Sequence, residues 1–147
     1  MKRHPALQPL SREHHGSLAL ARRILRSDGA TTVELATLCA EVARNYFDEL
    51  QAHFSAEEDM FLPRLRGRCE REASRLVQDH AAMTVLIEPI QAGDADALRA
   101  YGRLLAEHVR FEERELFPLI EDALPASWQP AETRHPSDVQ LQNRKAA

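Results

Sequence analysis

The chain has 147 residues, with 19 Lys plus Arg against 23 Asp plus Glu and a formal net charge of −4; that length suits one domain with a sizeable core. No basic run marks a nucleic-acid face, no apolar run is long enough to span a membrane, and no signal-like apolar stretch follows Met1. Cys39 and Cys69 lack CxxC spacing, so neither a disulfide framework nor a zinc knuckle is indicated, and a cytoplasmic protein is expected.

Residues 1–9, with Pro5 and Pro9, read as a lead-in. A first helix is expected from about Leu10 to Ser27, with Leu10, His14, Leu18, Ala21 and Leu25 on one face and Gly29 as its stop. Thr31 or Thr32 then caps a long second helix whose inner stripe runs Leu35, Cys39, Val42, Tyr46, Leu50, His53, Glu57, Phe61, with Pro63 ending or kinking it. The third helix starts within 66–75 and runs to about Glu88, before Pro89; Leu76, His80, Met83 and Ile87 share its face. Asp94 or Asp96 caps the fourth, which turns Leu98, Tyr101, Leu105, His108, Glu112 and Leu119 inward and ends near Pro118 to Asp122. No segment alternates as a strand does. The expectation is an all-α protein, an up-down-up-down four-helix bundle over residues 10–123. Residues 124–147, with Pro125, Pro130 and Pro136 and no periodicity, read as a flexible tail.

One motif occurs twice. His53-x3-Glu57-Glu58 leads to Pro63, and His108-x3-Glu112-Glu113 leads to Pro118; Tyr46 and Tyr101 lie seven residues before their His, and Leu50 and Leu105 three before. On a helix, His and Glu four apart point the same way, a bidentate metal-ligand geometry offered twice. Each expected helix also centres one His on its apolar stripe: His14, His53, His80 and His108. Burying four imidazoles with Glu57 and Glu112 is costly unless cations compensate. Two metal ions bridged by the carboxylates do so. Mixed nitrogen and oxygen donors suit iron, with manganese and zinc as other occupants, and six side chains leave exchangeable positions on two octahedral ions. His14 falls between Leu10, Leu18 and Ala21, whereas the adjacent His15 is turned about 100° away. His15, Glu58, Glu113, Tyr46 and Tyr101 are therefore candidates for contacts around the ligands, with either phenol able to reach an open metal position. His4 and His135 are read as uninvolved. The Glu-x-x-His order of ferritin-type sites is absent.

These motifs, with Arg12-Glu13-His14, Asp79-His80 and Leu116-Phe117-Pro118, resemble the hemerythrin family in its four-His, two-Glu form, the HHE cation-binding domain, over about residues 10–122. The resemblance implies a four-helix bundle with a non-haem di-iron centre, oxo- or hydroxo-bridged. His14, His53, His80 and His108 would be terminal ligands, with Glu57 and Glu112 as bridges. The oxygen-carrying hemerythrins have His-x3-His on the third helix and His-x4-Asp on the fourth; here Thr84 lies four after His80, and Glu112 lies four after His108. The set is more similar to bacterial repair-of-iron-centres proteins and to the iron-sensing domain of a eukaryotic F-box protein. The resemblance thus implies a small gaseous or peroxide ligand, O2 or NO, bound for sensing, storage or stress protection by a monomer or weak homo-oligomer. Peroxide or NO turnover or repair of iron centres is the alternative, and a structural metal, zinc included, stabilising an interaction module is the third. Binding or sensing is favoured over a dedicated enzyme.

Overall fold

A computed structural model describes residues 2–125. The expected tail therefore lies outside the described residues, apart from Leu124 and Pro125. Six helices form four rods: α1 (Gln8–Leu25), α2 (Thr32–Asn45) continuing into α3 (Gln51–Leu65), α4 (Glu70–Gln91), and α5 (Ala95–Phe111) continuing into α6 (Phe117–Ala123). The two continuous rods each contain one wide π-helical turn, Tyr46–Leu50 and Glu112–Leu116. No strand occurs among the described residues, and no helix there is long and apolar enough to cross a membrane. The protein is an all-helical four-helix bundle.

The helix ends follow local chemistry. Pro9 sits in the first turn of α1, where its missing N–H is no loss, and the helix starts two residues earlier than the apolar period alone indicates. Thr31 caps α2: its hydroxyl accepts from the Glu34 amide while the Glu34 carboxylate accepts from the Thr31 amide. Asp94 caps α5, accepting from the amides of Asp96 and Ala97. Gly93, at φ +86°, ends α4 as its amide returns to Ile90 and that of Asp94 to Pro89.

Two proline expectations need correction. α3 runs through Pro63 to Leu65, and α4 runs through Pro89 to Gln91. Each proline lies in a last turn, and the residues whose carbonyls lose a partner, Asp59 and Val85, are exposed, so water replaces the missing N–H.

Buried apolar residues fall into two clusters. One gathers Ile24, Val42, Leu50, Met83, Leu98 and Leu105 with their neighbours; the other gathers Leu10, Phe61, Leu76, Leu116, Phe117 and Ile120. Along α1 and α4 the residue numbers fall from the first cluster to the second, and along the other two rods they rise. Neighbouring rods are thus antiparallel, and the four histidines lie between two apolar plugs.

Two inner-face expectations shift. Leu25 is 41% exposed and Ile24 is buried instead. The cause is Gly102 on α5, whose bare backbone lets the Ile24 side chain approach closely. Leu119 is half-buried whereas Ile120 is fully buried. The π turn at Glu112–Leu116 carries one residue more than an α turn, so the inward face advances by one beyond Glu112.

A Gly102→Ala substitution would place a Cβ 2.6 Å from Ile24 Cγ2 and 3.0 Å from Ile24 Cβ. Because the second atom cannot rotate away, the overpacking cost of about 1–3 kcal/mol should exceed the helix-propensity gain of about 1 kcal/mol. The urea or thermal unfolding midpoint is expected to fall; a raised midpoint would refute this close approach.

Candidate metal centre

The two wide-turned rods bring Glu57 and Glu112 to the middle of the bundle, both completely buried, and the four histidines close around them. His14, His53, Glu57 and Glu112 form one group, and Glu57, His80, His108 and Glu112 a second; within each, the ligand atoms lie within 4.8 Å of one another. Both carboxylates belong to both groups. His53 Nε2 meets Glu57 Oε1 on its own helix, and His108 Nε2 lies 2.6 Å from Glu112 Oε1 on its own rod. His14 Nε2 is 2.8 Å from Glu112 Oε2 and 3.8 Å from Glu57 Oε1; His80 Nε2 is 3.4 Å from Glu57 Oε2 and 3.7 Å from Glu112 Oε1. His80 and His108 bring their Nε2 atoms to 3.1 Å.

The outer ring nitrogens reveal a second pattern. His53 Nδ1 bonds Glu13, His14 Nδ1 lies 2.8 Å from Glu113 Oε1, and His108 Nδ1 lies 2.9 Å from Asp79 Oδ2. His80 Nδ1 has Glu58 at 3.8 Å, beyond hydrogen-bond reach. Every one of these acids is the chain neighbour of a metal-site residue on its own helix, yet it serves the histidine of a different rod. Glu13 on α1 serves α3, Glu58 on α3 faces α4, Asp79 on α4 serves α5, and Glu113 beyond α5 serves α1. Three of these four links are made, so the rods are braced in a ring that is open only between α3 and α4. A carboxylate only accepts, so each bonded Nδ1 carries its proton and Nε2 is left as the inward-facing atom whose lone pair can bind an ion.

Phenylalanine rings hold the imidazoles from the side. Phe54 stacks on His80 at 4.0 Å and Phe117 on His14 at 5.3 Å. Two arginines repeat one arrangement outside them. Arg3 bonds Glu113 at 2.9 Å and lies over Phe117, while Arg75 faces Asp79 at 3.6 Å and lies over Phe111.

His14 Nε2 and all four oxygens of Glu57 and Glu112 are buried without a hydrogen-bond partner in the structure. They are close enough to touch but do not point along one another's donor directions; they converge on shared points. Unsatisfied buried groups of this kind are expensive, and a cation at each point satisfies them together. Without one, protons must serve. Burial alone would depress the imidazoles, but the carboxylates reverse it: His14 is pushed up to about 10 by Glu112 and Glu57, His108 to about 10 by Glu112 and Asp79, and His53 to about 9 by Glu57 and Glu13. His80 moves the same way. Burial would raise the Glu112 carboxyl, yet the charge on His108 beside it holds it well below the usual carboxylate range.

The family model for the hemerythrin HHE cation-binding domain matches residues 6–120. The chain belongs to the hemerythrin HHE family. No curated protein and no solved structure gives a significant match. The buried His and Glu cluster has the donor set to hold metal ions in this HHE domain.

The structure brings His14, His53, Glu57, His80, His108 and Glu112 together. His15 is exposed and turned away. Glu113 reaches His14, whereas Glu58 stops 3.8 Å short of His80 Nδ1. Tyr46 is committed elsewhere: the Thr84 hydroxyl donates to the His80 carbonyl at 2.9 Å, so the Tyr46 hydroxyl, 2.8 Å from Thr84 Oγ1, must be the donor to Thr84. The Tyr101 hydroxyl is buried without a hydrogen-bond partner, and burial raises its pKa. Sequence reasoning did not assign roles to Glu13 and Asp79. The signal was an acid directly before a ligand histidine in Glu13-His14 and Asp79-His80, but helical geometry points it away from that histidine.

Protonated imidazoles must lose their inner protons to bind an ion, so metal loading of the HHE domain at pH 7 should release protons. Apparent affinity should fall as the pH drops from about 10, since proton competition grows below the raised values. In the metal-free bundle the sign is opposite. The raised histidines stabilise it fully below their unfolded value of 6.5, and that stabilisation is lost as the pH rises through about 9 to about 10. Proton release in weak buffer and metal-free unfolding midpoints across this range check both; an alkaline gain in metal-free stability would refute the assignment.

Proposed function

We propose that this HHE-domain protein holds two iron ions, one per histidine pair and both shared by Glu57 and Glu112, and binds O2 or NO for sensing, storage or stress protection in the cytoplasm. One observation carries the reading: each group supplies four protein donors with both carboxylates in common, and no fifth donor is grouped with either among the described residues. An octahedral ion held by four donors keeps positions for an external ligand. Thr84 contributes to this, standing one turn from His80 with its hydroxyl bonded to the His80 carbonyl rather than aimed at the centre. When bound, iron supplies a redox-active centre with exchangeable positions. The chain's own residues orient the Nε2 atoms of His14, His53 and His108 through their outer carboxylates and that of His80 by the stacked Phe54 ring, and keep bulk water out with an apolar plug at either end.

A second reading, in which ions or substrates turn over at the site, is favoured by two open clefts. One, of about 440 Å³, is lined by Glu13, Ser17, Asp48 and His53; the other, of about 390 Å³, by Tyr46, Phe54, Glu58 and His80. Each reaches the outer side of one ligand imidazole.

The test is metal analysis of the purified protein with spectra of its reduced form after adding O2, NO or peroxide. About two irons per chain with a slowly decaying band on O2 or NO is expected. Rapid repeated consumption of peroxide or NO would move the protein to the second reading, and zinc alone with no spectral response would overturn both. His108→Ala removes a terminal donor and should lose at least one ion per chain; full metal content in that variant would sink the site assignment.

A further inference from the structure

The segment ahead of α1 is fastened across the second apolar plug. Arg3 bonds Glu121 on α6, the Glu113 side chain at 2.9 Å and the Glu113 backbone carbonyl at 2.9 Å. The Glu113 carbonyl is free for this bond because of the backbone around it. Phe117 N–H returns to Glu112 in the wide turn, and Pro118 has no N–H to offer. His4 adds two ties: its amide donates to Glu121 at 3.1 Å, and its Nε2 lies 3.0 Å from the Pro125 carbonyl. Since the Ala6 amide donates to His4 Nδ1 at 3.0 Å, His4 Nε2 carries the hydrogen and donates to Pro125. Leu7 is fully buried in the plug below.

Arg3 touches both supports of His14. It holds Glu113, which accepts from His14 Nδ1 and also from Ser11 at 2.5 Å, and it lies 5.3 Å from the centre of Phe117, the ring stacked on His14. Its guanidinium suits this double task, because a planar fork can bond carboxylates at its edge while its face covers an aromatic ring. Resting on the metal-centre reading but not on iron or O2, we propose that Arg3 is a positioning residue of the metal centre. Through Glu113 and Phe117 it sets His14, so Arg3 steadies the ion shared by His14 and His53 and not the one shared by His80 and His108. Arg75 is the looser counterpart at the second pair, half exposed and 3.6 Å from Asp79 on its own helix.

The test uses the full chain loaded anaerobically with Co2+ alone. Ion release to excess chelator is followed by the loss of visible absorption, and the exchangeable imidazole N–H protons by their metal-shifted resonances. Arg3→Gln should release one of its two ions about 10-fold faster or more, the usual range for losing a carboxylate that orients a ligand histidine, with the other unchanged. One N–H resonance, the one also perturbed in Glu113→Gln, should shift and exchange faster with water, while that of His108 on Asp79 stays. Arg3→Lys keeps the charge but not the fork or the stacking plane and should show the same selective loss; full rescue by lysine would overturn the two-sided role. Glu121→Gln, which removes the charge but keeps an oxygen to accept from Arg3 and leaves Glu113 and Phe117 in place, should release both ions at the wild-type rates. Equal acceleration of both ions in Arg3→Gln, no acceleration, or the same effect from Glu121→Gln would each refute the proposal. A wild-type chain that holds no ion would sink the metal-centre reading and this inference together, whereas two ions held identically by wild type and Arg3→Gln sink this inference alone.

Discussion

Six groups that prefer water sit where water is excluded. Glu57 and Glu112 have no exposed surface, and the four histidines nearly none. Each buried ionised carboxylate costs on the order of several kcal/mol when unpaired. The apolar plugs make the problem worse, since they remove the screening that would soften it. The arrangement is tolerable only if positive charge stands between the carboxylates, as protons on imidazoles or as bound cations. Most other features of the molecule can be traced to that requirement, from the wide turns that aim the carboxylates to the acids that hold the rings.

The ring of outer carboxylates is the structural answer to orientation. An imidazole pinned at one nitrogen has its other nitrogen aimed, and here the pin comes from a neighbouring rod in each case. Helix packing and ligand direction therefore cannot vary independently. A rod that slides takes its own histidine out of line and withdraws the acid that aligns the next one. Glu58, at 3.8 Å from His80, is the one member of the ring that has not closed.

Much of the centre could be read from the amino-acid sequence, because the repeat His-x3-Glu has a single meaning on a helix and the apolar period told His14 from His15. The bundle was readable for the same reason. Other features were hidden by specific physics. An acid next to a ligand in sequence is turned about 100° from it on a helix, so Glu13 and Asp79 looked like ordinary solvent-facing charges. The wide turns leave no composition signal, and they lie before His53 in one copy but after His108 in the other, so the sequence repeat is not a structural repeat. Leu119 was misplaced for that reason. Pro63 and Pro89 looked like stops because a proline's effect depends on whether water can reach the carbonyl it leaves free. Arg3 could not be found at all: its partners, Glu113 and Glu121, lie more than a hundred residues away.

Dividing each donor group among separate rods also bears on when an ion could bind during folding. The first group needs α1, α3 and the turn after α5; the second needs α3, α4 and α5 with that same turn. No single hairpin of the bundle contains a complete group, and the last shared donor, Glu112, comes late in the chain. A growing or partly collapsed chain can offer only incomplete sets of His and Glu, which hold ions weakly. An ion bound at either group would therefore report completed assembly rather than act as a template for it. It would lock a bundle held together by the two apolar plugs.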